Sequence, residues 1–309
     1  MTPPEFWHHD GIVARLLSPA AAIFARQTAA RMARPGWTAP VPVICCGNAS
    51  VGGTGKTPLA LDLGARLIAR GRRPAFLSRG HGGAGHGIRR AGDVEDSGDE
   101  PLLLAELAPT WLGRDRAASA RAAVAAGADV LVMDDGLQNS TLAKTMSFLA
   151  VDAAAGFGNG RVLPAGPLRE PAAAAAARCR AMVLVGDGAA PAVGLPVLRA
   201  QLVPRDPERF RGRRMLAFAG IGRPGKMFAT LAAIGAVTVA TRAFPDHHRY
   251  RVSELAALAA AAGGAAMVTT AKDAVRLPRE WRARVEVLRV DLAWNDPAAI
   301  DSLLDEALE

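Results

Sequence analysis

Between residues 50 and 57 the chain reads Ser-Val-Gly-Gly-Thr-Gly-Lys-Thr. A lysine and a hydroxyl residue directly after a glycine-rich turn suit the holding of a phosphate chain. Lys56 can reach the β and γ oxygens, Thr57 can offer its hydroxyl to Mg²⁺, and the backbone N–H groups of the turn can face the anion. Glycine is needed there because a Cβ would block close approach and the positive-φ turns. The strict pattern has glycine six residues before the lysine, where this chain has Ser50. The candidate phosphate-binding set is Ser50, Val51, Gly52, Gly53, Thr54, Gly55, Lys56 and Thr57.

Carboxylates come next. Residues 130–135, Val-Leu-Val-Met-Asp-Asp, form an apolar run ending in Asp134 and Asp135. A strand-end carboxylate about 80 residues after a phosphate loop can hold Mg²⁺ directly or through water, and a second one can tune it from behind. Phosphoryl transfer to a hydroxyl also needs a group to take the acceptor's proton. Asp99, in Ser97-Gly98-Asp99-Glu100-Pro101, is one candidate and equally a helix N-cap. The Phe-Pro-Asp-His-His-Arg-Tyr run at 244–250 is another. Adjacent histidines rarely chelate one ion together, so a single histidine assisting a carboxylate is as good a reading as a metal site. The residues by themselves reach a phosphate-loop phosphotransferase or NTPase.

These groups need a scaffold that presents them together. Residues 41–46 are apolar and read as a strand, and residues 59–68 have helical spacing. Pro58 is tolerated in the first turn of that helix. Strands are expected at 75–78, 130–135, 147–152 and 181–185, with helices from 101, across 114–126, and in the polyalanine after Pro171. This alternation predicts an α/β fold with a mainly parallel sheet flanked by helices, of P-loop NTPase type. Ligands then sit at the carboxyl ends of the strands, where the loop at 50–57 and the Asp134 pair both fall. After a loop-like stretch at 186–196 the alternation resumes, and a second, smaller α/β domain is expected over 196–309, following a core at 39–195. Residues 1–38 read as helices broken near Pro19. Arg15, Arg26, Arg31 and Arg34 there accompany Leu16, Leu17, Ile23 and Phe24, a basic amphipathic segment suited either to a membrane interface or to packing on the core.

With 309 residues, half of them apolar, the chain can build one large or two ordinary domains. Its 37 basic against 29 acidic residues leave a net charge of +8, which fits anionic partners. Nearly all the basic residues are arginine, and lysine occurs only at 56, 144, 226 and 272. Cys45, Cys46 and Cys179 have neither framework nor metal-ligand spacing and read as reduced structural thiols of a cytoplasmic protein. No secretory signal and no stretch of about 18 apolar residues is present, so a spanning helix is not expected.

Taken in order, the motifs resemble the tetraacyldisaccharide 4′-kinase family, the lipid A kinases of Gram-negative bacteria. The resemblance runs nearly end to end. It rests on Phe6-Trp7, Gly47-Asn48 with the run ending at Pro58, Ser78-Arg79-Gly80-His81-Gly82-Gly83, Gly98-Asp99-Glu100-Pro101 and Asp134-Asp135-Gly136-Leu137-Gln138. It continues through Gly158-Asn159-Gly160, the run from Leu163 to Glu170, Gly220-Ile221-Gly222-Arg223-Pro224, Phe244 to His248, and Lys272-Asp273-Ala274-Val275.

The resemblance implies ATP- and Mg²⁺-dependent phosphorylation of the 4′-hydroxyl of an acylated glucosamine disaccharide 1-phosphate. That work would be done by a peripheral monomer at the cytoplasmic face of the inner membrane, with no nucleic-acid partner. It implies Asp99 as base with His247 assisting, Lys56 and Thr57 on phosphate and Mg²⁺, and Asp134, Asp135 and Glu170 as the acidic set around metal and acceptor. It tilts the N-terminal helices toward the bilayer. The chain departs from the family pattern at Asn139, where histidine is usual, at His81, where tyrosine is usual, and at Ala271, where glutamate is usual.

Two other classes fit less well. Partitioning-type ATPases carry a lysine at the second position of the loop, where this chain has Val51. A guanine-reading GTPase would need Asn-Lys-x-Asp, and Ala271-Lys272-Asp273 lacks both the asparagine and the spacing.

Overall fold

The computed structural model describes residues 4–80, 87–92 and 97–309. Its strands, in chain order, are β1 (Val43–Gly47), β2 (Pro74–Ser78), β3 (Arg89–Arg90), β4 (Thr110–Leu112), β5 (Val130–Asp134), β6 (Met146–Asp152) and β7 (Ala181–Val185). They continue with β8 (Val197–Pro204), β9 (Arg214–Ala219), β10 (Val237–Ala243), β11 (Ala266–Thr270), β12 (Val285–Leu288) and β13 (Val290–Trp294). Among the described residues they form a nine-stranded sheet in the order β13-β8-β7-β6-β1-β5-β2-β4-β3 and a four-stranded sheet in the order β10-β9-β11-β12. The large sheet is parallel except at its ends, where β3 runs against β4 and β13 against β8. The small sheet is parallel throughout.

The central strands are apolar on both faces because both faces are covered. Alternate residues serve opposite layers. Ile44 and Cys46 of β1 join Leu59, Leu63 and Leu67 of the helix Lys56–Ala69, together with Phe76, Phe148 and Leu104. Val43 and Cys45 face the other way, with Leu131, Met133 and Leu149 and the alanines of the helices Arg116–Ala125 and Ala172–Ala176. Leu59, Leu63 and Leu67 repeat every fourth residue, one stripe of a helix. Gly64 lies on the same face, and a Cβ there would stand 2.4 Å from Phe76 Cζ. The helix can lie this close to the sheet only because position 64 has no side chain. The helix ends at Gly71, whose φ of 73° is the usual left-handed helix stop.

The expected division at 196 differs from what the strands do. β8 pairs with β7, and β13 pairs with β8, so both belong to the large sheet. The C-terminal helix Pro297–Leu308 also returns to the first lobe, burying Ile300, Leu304 and Ala307 in its core. Arg66 and Arg70 reach its Asp301, each at 2.8 Å, and Trp294 Nε1 donates to Asp62 at 2.9 Å. Each buried aliphatic side chain contributes about 1.5–3 kcal/mol, whereas exposed ion pairs contribute about 0–1 kcal/mol. Apolar packing therefore anchors the return, and the arginines set its register. The second lobe is the segment between β8 and β13. Its sheet is sandwiched between the helix Val252–Ala262, which buries Leu255 and Leu258, and the helix Pro224–Ala233, which buries Met227 and Leu231.

The N-terminal segment consists of the helices Ile12–Leu16 and Ser18–Met32, turning at Leu17 rather than at Pro19. It is tied to the glycine- and proline-rich loop after β6. Asn159 Nδ2 donates to the carbonyls of Phe6 and Ala165, and Arg161 bonds Asp10 and Ser18. Ile12, Leu16 and Ile23 remain exposed at 77%, 75% and 59%. No helix among the described residues is long and apolar enough to cross a membrane.

Candidate active site

β1 and β5 are neighbours in register, Cys46 opposite Asp134, so the loop leaving β1 and the carboxylates ending β5 emerge side by side. Gly52 and Gly55 of that loop take φ of 116° and 87°, which a Cβ would disfavour, and the helix begins at Lys56. The start of this helix, with its unpaired N–H groups and positive dipole end, can cradle phosphates. Thr57 Oγ1 donates to Asp134 Oδ2 at 2.9 Å. Lys56 Nζ lies 3.5 Å from the Gly52 carbonyl and 3.8 Å from Asp135 Oδ1. The lysine is thus folded over the loop and held by a carboxylate.

Asp134 and Asp135 differ sharply. Burial, then the nearby Glu100, pushes the Asp134 carboxyl up to about 7, against the pull of Lys56. Its Oδ1 is buried with no hydrogen-bond partner. An orphaned carboxylate oxygen beside a threonine hydroxyl suits a divalent cation, which would supply the missing charge. Asp135 is half-buried, which pushes its carboxyl up, but Lys56 and Arg169 outweigh this and hold it below the usual range. Arg169 Nη1 donates to it at 2.7 Å. Asp135 sits at φ 56°, one of the three left-handed non-glycine residues among those described.

Glu170 is not brought onto this pair. Arg178 donates to both of its oxygens, at 2.6 and 2.8 Å, and Gln138 Nε2 bonds it at 2.8 Å while also donating to the Asn48 carbonyl. Its charge is already neutralised, and its geometric role is to brace the loop from below. No cluster of three or more His, Cys, Asp or Glu arranged to hold a metal occurs among the described residues. Of the four residues expected to hold a metal, Thr57 and Asp134 are bonded to each other, Asp135 lies on Lys56 and Arg169, and Glu170 lies on Arg178.

The two lobes meet at Asp99. Asp99 opens the helix Asp99–Ala105 of the first lobe, and His247 belongs to the loop after β10 in the second. His247 Nδ1 stands 3.2 Å from Asp99 Oδ2. Burial pushes the Asp99 carboxyl up, but the hydrogen bond from His247 and the Arg276 charge outweigh it and leave it at about 2. Asp99 is thus a carboxylate that can only accept, and Nδ1 of His247 carries the proton. The bond to Asp99, against a smaller effect of burial, raises the His247 imidazole above its ordinary 6.5. His247 is itself left-handed, at φ 59°, a conformation costing a non-glycine residue on the order of 1 kcal/mol. Its N–H is held by Asp246 Oδ1 at 3.0 Å and the Gly220 carbonyl at 3.1 Å.

Sequence reasoning missed the residues that carry this loop. Arg276 is buried and donates from Nη1 to the carbonyls of Gly220, at 2.9 Å, and His248, at 3.2 Å. Its Nη2 is 3.2 Å from Asp99 Oδ2, an ion pair without hydrogen-bond alignment. Asp273 beneath it accepts from Gly220 N, Tyr250 and Thr270. The visible signal was Arg276 four residues after Lys272, one helical turn along. Lys272 itself bonds Glu100 across the cleft. His248 packs on Phe244 and bonds Glu254 at 3.1 Å, away from Asp99, so the two adjacent histidines do not share a metal. Asn139 serves a turn, accepting from Thr141 N and Oγ1. Ala271 starts a short helix. His81 lies outside the described residues.

Residues 13–309 match the family described as tetraacyldisaccharide-1-P 4′-kinase. The chain belongs to the tetraacyldisaccharide 4′-kinase family. It is 51% identical to the tetraacyldisaccharide 4′-kinase of Gluconacetobacter diazotrophicus, over 100% of this chain and 99% of that one. It is 53% identical to the Methylorubrum extorquens PA1 protein of the same name, over 99% of both chains. The Rhodospirillum centenum kinase is 52% identical, over 98% of this chain and 96% of its own. A crystal structure of Aquifex aeolicus LpxK in complex with ATP superposes with a TM-score of 0.81 at 24% identity, covering 96% of this chain and 100% of that one. At that identity the likeness carries the fold, and it bears out the mainly parallel sheet with its second α/β lobe.

Proposed function

We propose that this member of the tetraacyldisaccharide 4′-kinase family transfers the γ-phosphoryl group of ATP to the 4′-hydroxyl of tetraacyldisaccharide 1-phosphate, a step of lipid A biosynthesis. The observation that carries the reading is the Asp99–His247 contact, which spans the cleft between the lobe holding the phosphate loop and the lobe facing it. A nucleotide-binding loop alone would serve any NTPase. A carboxylate–imidazole pair opposite it supplies a place for an acceptor's proton.

In this reading residues 50–57 hold the ATP phosphates, with Lys56 on the transferring group. Thr57 and Asp134 would hold Mg²⁺, and Asp135 positions Lys56. The metal, when bound, neutralises charge on the phosphate oxygens. Asp99 accepts the hydrogen bond of the 4′-hydroxyl and aligns its oxygen. As the new P–O bond forms and the β,γ-bridging bond breaks, the hydroxyl proton passes to the Asp99–His247 pair, where Nε2 of the neutral imidazole is the basic site open to it, Nδ1 already carrying the proton given to Asp99. Glu170, through Arg178 and Gln138, fixes the loop that carries Arg169. The exposed Ile12, Leu16 and Ile23, with Arg15 and Arg26 beside them, rest on the cytoplasmic face of the inner membrane, where a monomer meets its acylated substrate.

Incubation with Mg²⁺, ATP and the acylated disaccharide 1-phosphate is expected to give ADP and a lipid with one added phosphate, located at the 4′-oxygen by mass spectrometry of the fragments. ATP hydrolysis without a phosphorylated lipid, under conditions where a relative is active, would overturn the assignment.

A further inference from the structure

One motif of the sequence, Gly220-Ile221-Gly222-Arg223-Pro224, has no role in the chemistry above. Arg223 precedes the helix Pro224–Ala233 of the second lobe, yet its side chain crosses to the first. Nη2 bonds Asp152 Oδ2 at the end of β6 and lies 3.4 Å from the Gly53 carbonyl, in the middle of the phosphate loop. Those are its partners among the described residues, so Nε and Nη1 are left to solvent on a half-exposed side chain.

We propose that Arg223 contacts the terminal phosphates of bound ATP from across the cleft, and that Asp152 is the partner that holds its guanidinium until the nucleotide arrives. Three features argue for an exchange rather than a fixed strut. First, a guanidinium keeps its charge at any working pH, and its planar fork matches phosphoryl oxygens, which carry more negative charge than one carboxylate. Second, Asp152 is prepared to lose it. Its Oδ1 is committed to the backbone N–H groups of Ala154, at 2.9 Å, and Ala155, at 3.3 Å, while Lys226 Nζ waits 3.6 Å from Oδ2. The carboxylate therefore stays neutralised when Arg223 leaves. Third, Arg223 and His247 share one backbone platform. The Gly220 carbonyl, three residues before Arg223, accepts from His247 N at 3.1 Å and from Arg276 Nη1 at 2.9 Å. An arginine gripping the donor would thereby brace the platform that already holds His247 on Asp99, coupling bound ATP to the stability of that contact.

The place of this contact in catalysis rests on the kinase reading, but the contact itself needs only a triphosphate on the loop. Calorimetry on the full chain with Mg²⁺ compares a non-hydrolysable β,γ-methylene ATP analogue with ADP. Wild type is expected to prefer the triphosphate. R223A is expected to lose about tenfold of that preference with ADP affinity unchanged, and R223K to recover only part of it. Turnover of R223A should fall by roughly 10³-fold, as for an arginine supplied in trans to a transferring phosphoryl group. An R223A variant that keeps the wild-type triphosphate preference, or that loses ADP and analogue affinity in parallel, would overturn the proposal. If R223A loses the preference while wild type yields no phosphorylated lipid, the contact stands and the assignment of the acceptor falls.

Discussion

Asp99→Ala is expected to bind MgATP within about threefold of wild type and to lose on the order of 10²–10⁴ in kcat. Asp99 stands on the acceptor side of the cleft, held by His247 and Arg276, and touches neither the loop at 50–57 nor Asp134 by hydrogen bond. Its removal leaves the donor half intact. It takes away the carboxylate that raises the His247 imidazole and, in the proposed mechanism, orients the hydroxyl. The pH dependence has a definite sign. Asp99, at about 2, is ionised throughout the working range. His247 is raised above 6.5, so below that raised value the pair is an imidazolium–carboxylate ion pair that cannot take another proton. Activity should therefore rise with pH through a value above 6.5, while the ion pair bridging the lobes weakens over the same window. His247→Ala should remove the rising limb. Equilibrium binding of MgATP to Asp99→Ala and the kcat/KM profile of wild type and His247→Ala check the two halves.

Lys56→Ala is expected to affect donor binding and transfer together, raising the KM for ATP and lowering kcat by about 10²–10³-fold. Lys56 Nζ rests between the Gly52 carbonyl and Asp135, a compact charge on a flexible stem folded over the loop. Its loss removes a charge that would follow the transferring group and leaves Asp135 with Arg169 alone. Lys56→Arg is expected to restore little, because a planar fork does not fit where a point charge is needed. Steady-state kinetics with ATP varied at saturating lipid separates the KM and kcat effects. An unchanged kcat would remove Lys56 from the transition state.

The donor half was legible because its signals are local. A buried strand, a positive-φ turn and a helix start sit in consecutive residues, and Asp134 ends the neighbouring strand. Asp99 and the 244–250 run were each nominated from their residues as rival candidates, and only the family's ordered motifs joined them in one role. Nothing near Asp99 announces His247, which lies 148 residues away and meets it by the way the lobes face each other. The boundary at 196 was misplaced for the same reason. Residues 197–203 look like the first strand of a new unit, and only their pairing with β7 reveals that they finish the old one. Residues 285–294 are cut at Arg289, Val285–Leu288 pairing in the small sheet and Val290–Trp294 in the large one, a division that depends on pairing partners far away in the chain. Glu170 entered the expected metal set only through what the family resemblance implies. Arg178, eight residues on, is what occupies it.

The central claim is that Asp99 and His247 act as one unit across the cleft, and a double-mutant cycle tests it most directly. Single-turnover phosphoryl transfer to the lipid would be measured for wild type, Asp99→Ala, His247→Ala and the double variant, each saturated with MgATP. If the pair works as a unit, the double variant is about as slow as Asp99→Ala alone, within roughly threefold. Losses that multiply in the double variant would mean that the two residues act independently, and the pair would not be the acceptor's base.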